Sequence, residues 1–180
     1  MVVLDELRRI VRGPVRLAEP LGPYSALGVG GPADYYLEPA GRAAVIASLR
    51  YLTARGVPVI LVRRGANFLA SDDGFRGAAL NVETGLGGLA AEGTRVRVEA
   101  GVPLARLVDF AVGRSLAGTE ILAGESGTVG GALIRGLEAL ASRTEEIGIF
   151  DGQRERTVPG GRDASAAGAG RSLSRSSGTA

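Results

Sequence analysis

Cysteine, histidine and lysine are absent from all 180 residues, so every one of the 21 basic side chains is an arginine. The three absences exclude whole classes of chemistry. A structural zinc site or a haem attachment needs Cys or His, a Ser-His or Cys-His nucleophile pair needs His, and Schiff-base catalysis and the Walker-type phosphate loop need Lys. No disulfide framework can form. Aromatic residues are scarce as well, at 4%, so the core has to be assembled from Val, Leu, Ile and Ala. What stays open is a bound organic cofactor, acid or base work by carboxylates or tyrosine, or binding alone. No uninterrupted apolar run approaches the ~18 residues of a membrane span. The amino end, Met1 to Arg12, is amphipathic and charged, unlike a secretory signal. No membrane partner is expected, and the expected location is cytoplasmic.

An isoelectric point near 9.5 raises the question of nucleic acid, which the placement of the charges answers. Three of the 21 arginines and one of the 19 acids lie in Pro159 to Ala180, leaving 18 of each before that segment. The body is neutral, its basic groups are dispersed, and few aromatics are available to stack bases, so no nucleic-acid partner is expected. The segment from Pro159 onward is rich in Ser, Gly and Ala, with Leu173 its one sizeable apolar group. Such a composition cannot bury enough surface to offset its ordering entropy, and it is read as a disordered tail.

Upstream of the tail, helix and strand signals alternate. Val45, Ile46, Leu49 and Leu52 recur at helical spacing across 42–55, with Gly56 and Pro58 as stops. Strands are expected at 33–38, 57–62, 78–82 and 94–100, the last alternating Val96 and Val98 with charged neighbours. Pro103 suits a first helical turn, and Leu104, Leu107, Val108 and Ala111 form the stripe of a helix ending near Ser115. Residues 145–150 and 153–158 flank Asp151-Gly152 as a hairpin with a tight two-residue turn. The pattern predicts an α+β protein: an amino-terminal helix and lead-in over 1–19, then two lobes at about 20–84 and 93–158.

Most of the 29 glycines fall after strands. Three clusters stand out: Gly28 to Gly31, Gly65 with Ala66 and Asn67, and Gly124 to Gly131. Glycine there lets the backbone approach a phosphate closely and aim successive N–H groups at it, although each cluster can equally be no more than a tight turn. Gly85-Leu86-Gly87-Gly88-Leu89-Ala90 fits the loose dinucleotide pattern, but it leads into Gly93 and a further strand rather than a helix, so a Rossmann site is rejected. A carboxylate enzyme finds little support. Glu145 and Glu146 are neighbours that a strand would turn to opposite faces, and Asp72 and Asp73 read as a surface turn.

Five segments in order carry a family resemblance: Pro23-Tyr24-Ser25 running into Val29-Gly30-Gly31-Pro32-Ala33; Gly65-Ala66-Asn67-Phe68-Leu69 with Asp73-Gly74-Phe75-Arg76-Gly77; Ala100-Gly101-Val102-Pro103-Leu104; Leu122-Ala123-Gly124; and Gly127-Thr128-Val129-Gly130-Gly131-Ala132. Over about 20–158 the chain resembles the UDP-N-acetylenolpyruvoylglucosamine reductases. That resemblance implies a two-lobed FAD-binding domain of the type shared with vanillyl-alcohol oxidase and para-cresol methylhydroxylase (PCMH), with the flavin between the lobes. It also implies NADPH as hydride source and a UDP-sugar substrate, in peptidoglycan synthesis.

By the same resemblance, Gly65, Ala66, Asn67, Phe68 and Leu69, together with Gly124, Ser126, Gly127, Thr128, Val129, Gly130, Gly131 and Ala132, would wrap the diphosphate and ribityl chain of FAD. Asn67 would offer its amide, Thr128 its hydroxyl and the glycines their N–H groups. The chain departs from the family pattern in three places. Arg63-Arg64-Gly65-Ala66-Asn67 stands where the family writes Gly-Gly-Gly-Ser-Asn, Gly124-Glu125-Ser126-Gly127 where it writes Gly-Ile-Pro-Gly, and Arg135 to Ala139 where an Asn-Ala-Gly run follows. No Tyr follows Tyr51, so the family's Tyr-Arg-x-Ser segment has no counterpart and no catalytic residue carries over. The expectation is a truncated relative that keeps the FAD-binding part. The alternative is a non-catalytic α/β module that has lost the flavin.

Overall fold

Helix α1 (Leu4–Val11) begins the chain with Asp5 and Glu6 in its first turn and Arg8 and Arg9 in its last, the charge order that complements a helix dipole. It stops at Arg12, which takes a left-handed conformation at φ 53°. Strand β1 (Val15–Pro20) follows, then β2 (Pro32–Leu37), helix α2 (Arg42–Thr53), β3 (Val59–Val62) and β4 (Phe75–Asn81). These strands form one sheet in the order β1-β2-β4-β3, antiparallel between β1 and β2 and parallel elsewhere. In this computed structural model the described residues are 2–63 and 69–161.

Strand alternation separates two apolar layers. Leu37, Ala78 and Leu80 point to the side covered by α1 and α2, where they meet Leu7, Val11, Val45, Tyr51 and Leu52. Tyr36 and Ala79 point the other way, toward Leu21, Tyr24, Ala33 and Val62. The segment read as a lead-in is therefore built into the first lobe: α1 supplies its core, and β1 is an edge strand of its sheet.

A single turn, α3 (Val82–Gly85), packs against the first core and leads to the second lobe; it is capped by the Asn81 side chain, which accepts from the Glu83 N–H at 2.9 Å. A β5 (Leu89–Glu92) and β6 (Arg95–Val98) hairpin, α4 (Leu104–Val112), α5 (Val129–Ile134) and α6 (Glu138–Ala141) follow. Val102, Leu104, Leu107, Leu122, Val129, Ala132 and Leu140 form its core. Pro103 sits at the N-cap of α4 with extended ψ, one position ahead of the first turn expected for it. Because Gly85 to Ala90 runs into β5, no helix opens there.

The chain ends its described part in a hairpin of β7 (Glu146–Phe150) and β8 (Glu155–Pro159). Its loop is longer than the two residues expected. Gly152 has φ +97° while Asp151 does not, and the Asp151 carboxylate accepts from the N–H groups of Gln153 and Arg154 at 3.0 Å each. An Asx-type turn closed by that side chain replaces the two-residue turn. The hairpin returns to the first lobe, where Arg50 Nε donates to the Gln153 carbonyl at 3.2 Å and Arg42 pairs with Glu155 at 2.8 Å. The architecture is α+β and two-lobed, as the residue pattern predicts.

Candidate functional site

Parallel strands place their carboxyl ends on one edge, where α/β sheets hold ligands because the loops leaving them diverge. Here that edge carries Glu38 after β2, Asn81 at the end of β4 and Arg63 after β3. The first expected cofactor segment leaves β3 at this edge. Gly65, Ala66, Asn67 and Phe68 lie outside the described residues, as does Arg64. Leu69 is described: it is 71% exposed and lines a cavity of ≈ 520 Å³ with Ile60, Leu61, Ala70 and Phe75.

The second expected segment lies in the other lobe. Thr128 caps α5 by accepting from the Gly131 N–H at 3.3 Å. The Val129 N–H donates to Val102 O and the Gly130 N–H to Ala100 O, both at 2.9 Å, while Leu104 N–H donates to Gly127 O at 3.0 Å. These bonds fasten the loop to the turn before α4. With the Thr128 cap they engage, within the chain, the N–H of Val129 and two of the glycine N–H groups expected to face a diphosphate, those of Gly130 and Gly131. A β-carbon on Gly130 would stand 2.7 Å from Ala100 Cβ, so this glycine serves close packing of the helix. The side chains of Val129 and Ala132 belong to the second core, since the first helical turn rotates them inward. Gly124, Ser126 and Gly127 remain on the exposed or half-buried side of the loop.

What the two lobes bring together is Gly127 and two arginines. Gly127 has φ +114°, a conformation that favours glycine. A β-carbon placed on it would lie 3.4 Å from Arg135 Nη2, 3.5 Å from Arg135 Nη1 and 3.7 Å from Arg63 Nη2. Arg135 also donates to the Ser126 carbonyl at 3.3 Å, folding back along α5 over its own loop. The exit of β3 and the bend at 124–128 therefore meet within reach of one arginine side chain. Two guanidinium groups and a buried threonine hydroxyl make a donor set suited to a diphosphate. Sequence reasoning marked both arginines as departures, with an arginine after β3 still able to grip a phosphate, and nothing local signals that the two meet.

A second cluster on the same edge was not foreseen. Arg16, Tyr24, Tyr36, Glu38, Asn81, Glu83 and Thr84 line a cavity of ≈ 280 Å³. Arg16 Nη1 donates to Glu38 Oε1 at 3.0 Å and to the Tyr24 hydroxyl at 3.3 Å, and that hydroxyl donates to Glu19 Oε1 at 2.9 Å. Asn81 Nδ2 donates to the Tyr36 hydroxyl at 3.0 Å. The pair of tyrosines in β2 was the available signal, since alternation puts one of them on the inner face. Burial, and then hydrogen bonding with Tyr24, holds the Tyr36 phenol well above the ordinary tyrosine value.

A phenol whose ionisation is suppressed by folding stabilises the protein below the unfolded pKa, and this contribution is lost as pH rises past about 10 toward the folded value. Urea midpoints measured between about pH 9 and about pH 11.5 should therefore fall more steeply for the native chain than for Tyr36→Phe. Equal slopes would show that Tyr36 does not carry the effect.

Among the described residues no group of three or more Asp or Glu is arranged to hold a metal ion, and no helix is long and apolar enough to cross a membrane.

A family model described as an FAD binding domain matches residues 33–148, from β2 through most of β7 and across both lobes. A UDP-N-acetylenolpyruvoylglucosamine reductase of Syntrophotalea carbinolica is 40% identical over 153 residues, covering 84% of this chain and 50% of the relative. The UDP-N-acetylenolpyruvoylglucosamine reductase 2 of Symbiobacterium thermophilum is 35% identical over 164 residues, covering 87% and 53%. The crystal structure of UDP-N-acetylenolpyruvylglucosamine reductase from Thermus caldophilus superposes with a TM-score of 0.56 at 26% identity, over 81% of this chain and 52% of that one. The chain thus spans about half the length of the curated relatives it matches. With the match running through both lobes and the bends that meet between them, the chain belongs to the FAD binding domain family.

Proposed function

We propose that this chain is the FAD-holding half of a UDP-N-acetylenolpyruvoylglucosamine reductase, working in the cytoplasm on the precursor of UDP-N-acetylmuramate. The observation that carries the reading is the meeting of Arg63, at the exit of β3, with the Gly127 bend of the second lobe. A cofactor that spans two lobes needs its charged middle held where both can reach it, and the exit of β3 at Arg63 comes together here with the 124–128 bend. Bound FAD would pass a hydride from NADPH to the enolpyruvyl double bond of the sugar nucleotide.

The chain's own residues would bind and orient. Residues 65–69 and the bend Gly124, Ser126, Gly127 and Thr128 would surround the diphosphate, with the Thr128 hydroxyl free to donate while its oxygen caps α5. Val129, Gly130, Gly131 and Ala132 would set the shape of the cradle through their packing rather than through free donors. No catalytic residue is assigned in this stretch.

The test is direct. Purified chain titrated with FAD should quench flavin fluorescence to a 1:1 end point, and the flavin should be released on denaturation. A colourless protein that takes up no added FAD would overturn the reading and leave a binding module without flavin.

A further inference from the structure

The ≈ 280 Å³ cavity at the carboxyl edge of the first sheet is lined by two kinds of residue. Those of the sheet are committed to one another. Asn81 Nδ2 donates to the Tyr36 hydroxyl at 3.0 Å, the Tyr36 ring stacks on Tyr24, and the Arg16 guanidinium lies 5.3 Å over the Tyr36 ring while donating to Glu38 at 3.0 Å. The exposed guanidinium of Arg16 is thus held as a fixed plane by a buried ring and a carboxylate, a surface on which a flat heterocycle can stack. Glu83 and Thr84 line the cavity from α3, and their side chains make no hydrogen bond or ion pair among the described residues. Charge around the cavity is unbalanced. Arg16 has Glu38 at 3.0 Å and Glu19 at 3.5 Å, and Glu83 adds a third carboxylate. One cation among three anions repels a phosphate or a carboxylate and favours a neutral ring that brings N–H groups.

We infer that this cavity takes the adenine ring of a dinucleotide, stacked on Arg16, with its exocyclic amine donating to the Glu83 carboxylate and a ring nitrogen accepting from the Thr84 hydroxyl; this rests on the dinucleotide reading above and adds the pocket for its base. Adenine fits because its edge sets an amine donor beside ring-nitrogen acceptors and carries no carbonyl. The uracil of the sugar nucleotide and the flavin ring each carry two carbonyl oxygens, which would face the carboxylates. The position suits a cofactor whose diphosphate lies at the β3 exit. β4 runs between β2 and β3, and neighbouring strands stand ~4.8 Å apart, so the cavity lies one to two strand spacings from that exit. A single ribose joins a base to its diphosphate across a gap of this order. FAD and NADPH both carry adenine, and either can supply the ring.

Calorimetry on the full chain compares AMP with UMP, FAD with FMN, which has the flavin but no adenine, and NADPH. AMP should bind more tightly than UMP by about tenfold or more, the worth of a hydrogen bond to a charged group. Glu83→Ala should weaken AMP about tenfold and Thr84→Val about fivefold, and both should leave FMN unchanged. Melting temperatures should not move, since neither side chain bonds within the chain. A loss on FAD in the same variants supports the pocket and assigns the ring to the flavin cofactor; a loss on NADPH alone supports it and assigns the ring to the hydride donor. UMP binding as tight as AMP, or native AMP affinity in Glu83→Ala, would overturn the pocket, while FAD uptake by the native chain would leave the flavin reading standing. A native chain that takes up neither FAD nor FMN yet binds AMP through Glu83 would keep the pocket and sink the flavin reading.

Discussion

Replacing Gly31 by alanine is expected to destabilise the first lobe by about 3 kcal/mol or more, beyond the usual range for one added methyl. A β-carbon on Gly31 would collide with the Asp72 carbonyl oxygen and lie 2.6 Å from Gly74 N and 2.7 Å from Asp72 C. All three are backbone atoms of the turn before β4, which is held by Ser71 O accepting from both Gly31 N–H and Gly74 N–H at 2.9 Å. No side chain can swing away to relieve the contact. Either the turn shifts and loses those bonds, or β2 withdraws from β4. Gly28 is the control: its φ is +70° but nothing stands within 4 Å of its β-carbon position. Alanine there should cost only the left-handed penalty of about 1 kcal/mol. Denaturant midpoints for the two variants decide the matter, and equal losses would mean that contact at Gly31 is relieved elsewhere. Gly30 and Gly31, in a cluster that resembled a phosphate loop in sequence, thus serve close packing against the turn before β4, with Gly31 meeting its backbone and Gly30 the Ala70 side chain.

A second large effect is expected at Tyr36. It is fully buried, stacks on Tyr24 with ring centroids 4.5 Å apart, and receives a hydrogen bond from Asn81. Tyr36→Ala removes the largest wholly buried side chain among the described residues and should cost about 4 kcal/mol through lost transfer energy and the cavity left behind. Against a total stability of about 5–15 kcal/mol, that places the first lobe near its unfolding threshold. Tyr36→Phe keeps the volume and isolates the chemistry. It strands Asn81 Nδ2 in a residue only 7% exposed, a loss of about 1–3 kcal/mol. Asn81 also caps α3, the turn that joins the lobes, so hydrogen exchange at the Glu83 amide should quicken in the Phe variant. A Phe variant as stable as the native chain, with the Glu83 amide unchanged, would show that the Tyr36–Asn81 bond contributes nothing.

The residues that declared themselves in sequence did so through short-range physics. Helix α2 announced itself by apolar spacing between stop signals, β6 by alternation, and the β7–β8 hairpin by the Asp-Gly pair, because periodicity and turn chemistry act over a few residues. The same locality explains what was missed. β1 has four exposed positions in six and no alternation to display, and it is a strand because β2 pairs with it. α5 and α6 are too short, at 6 and 4 residues, to show a helical period. β5 is held by its partner β6 rather than by its own composition.

For the candidate site the division is sharper. The absence of Lys, His and Cys left a bound organic cofactor among the open possibilities, the alternating helix and strand signals pointed to an α+β chain in two halves, and the family resemblance carried by the ordered segments implied the flavin. Sequence order could not show that Val129, Gly130 and Gly131 spend their N–H groups on their own neighbours, since hydrogen-bond partners are chosen only when the chain closes on itself. Nor could it show Arg63 and Arg135 beside Gly127. That meeting depends on how the carboxyl edge of one lobe is set against the loop of the other, and distances between lobes are decided by packing, not by spacing along the chain.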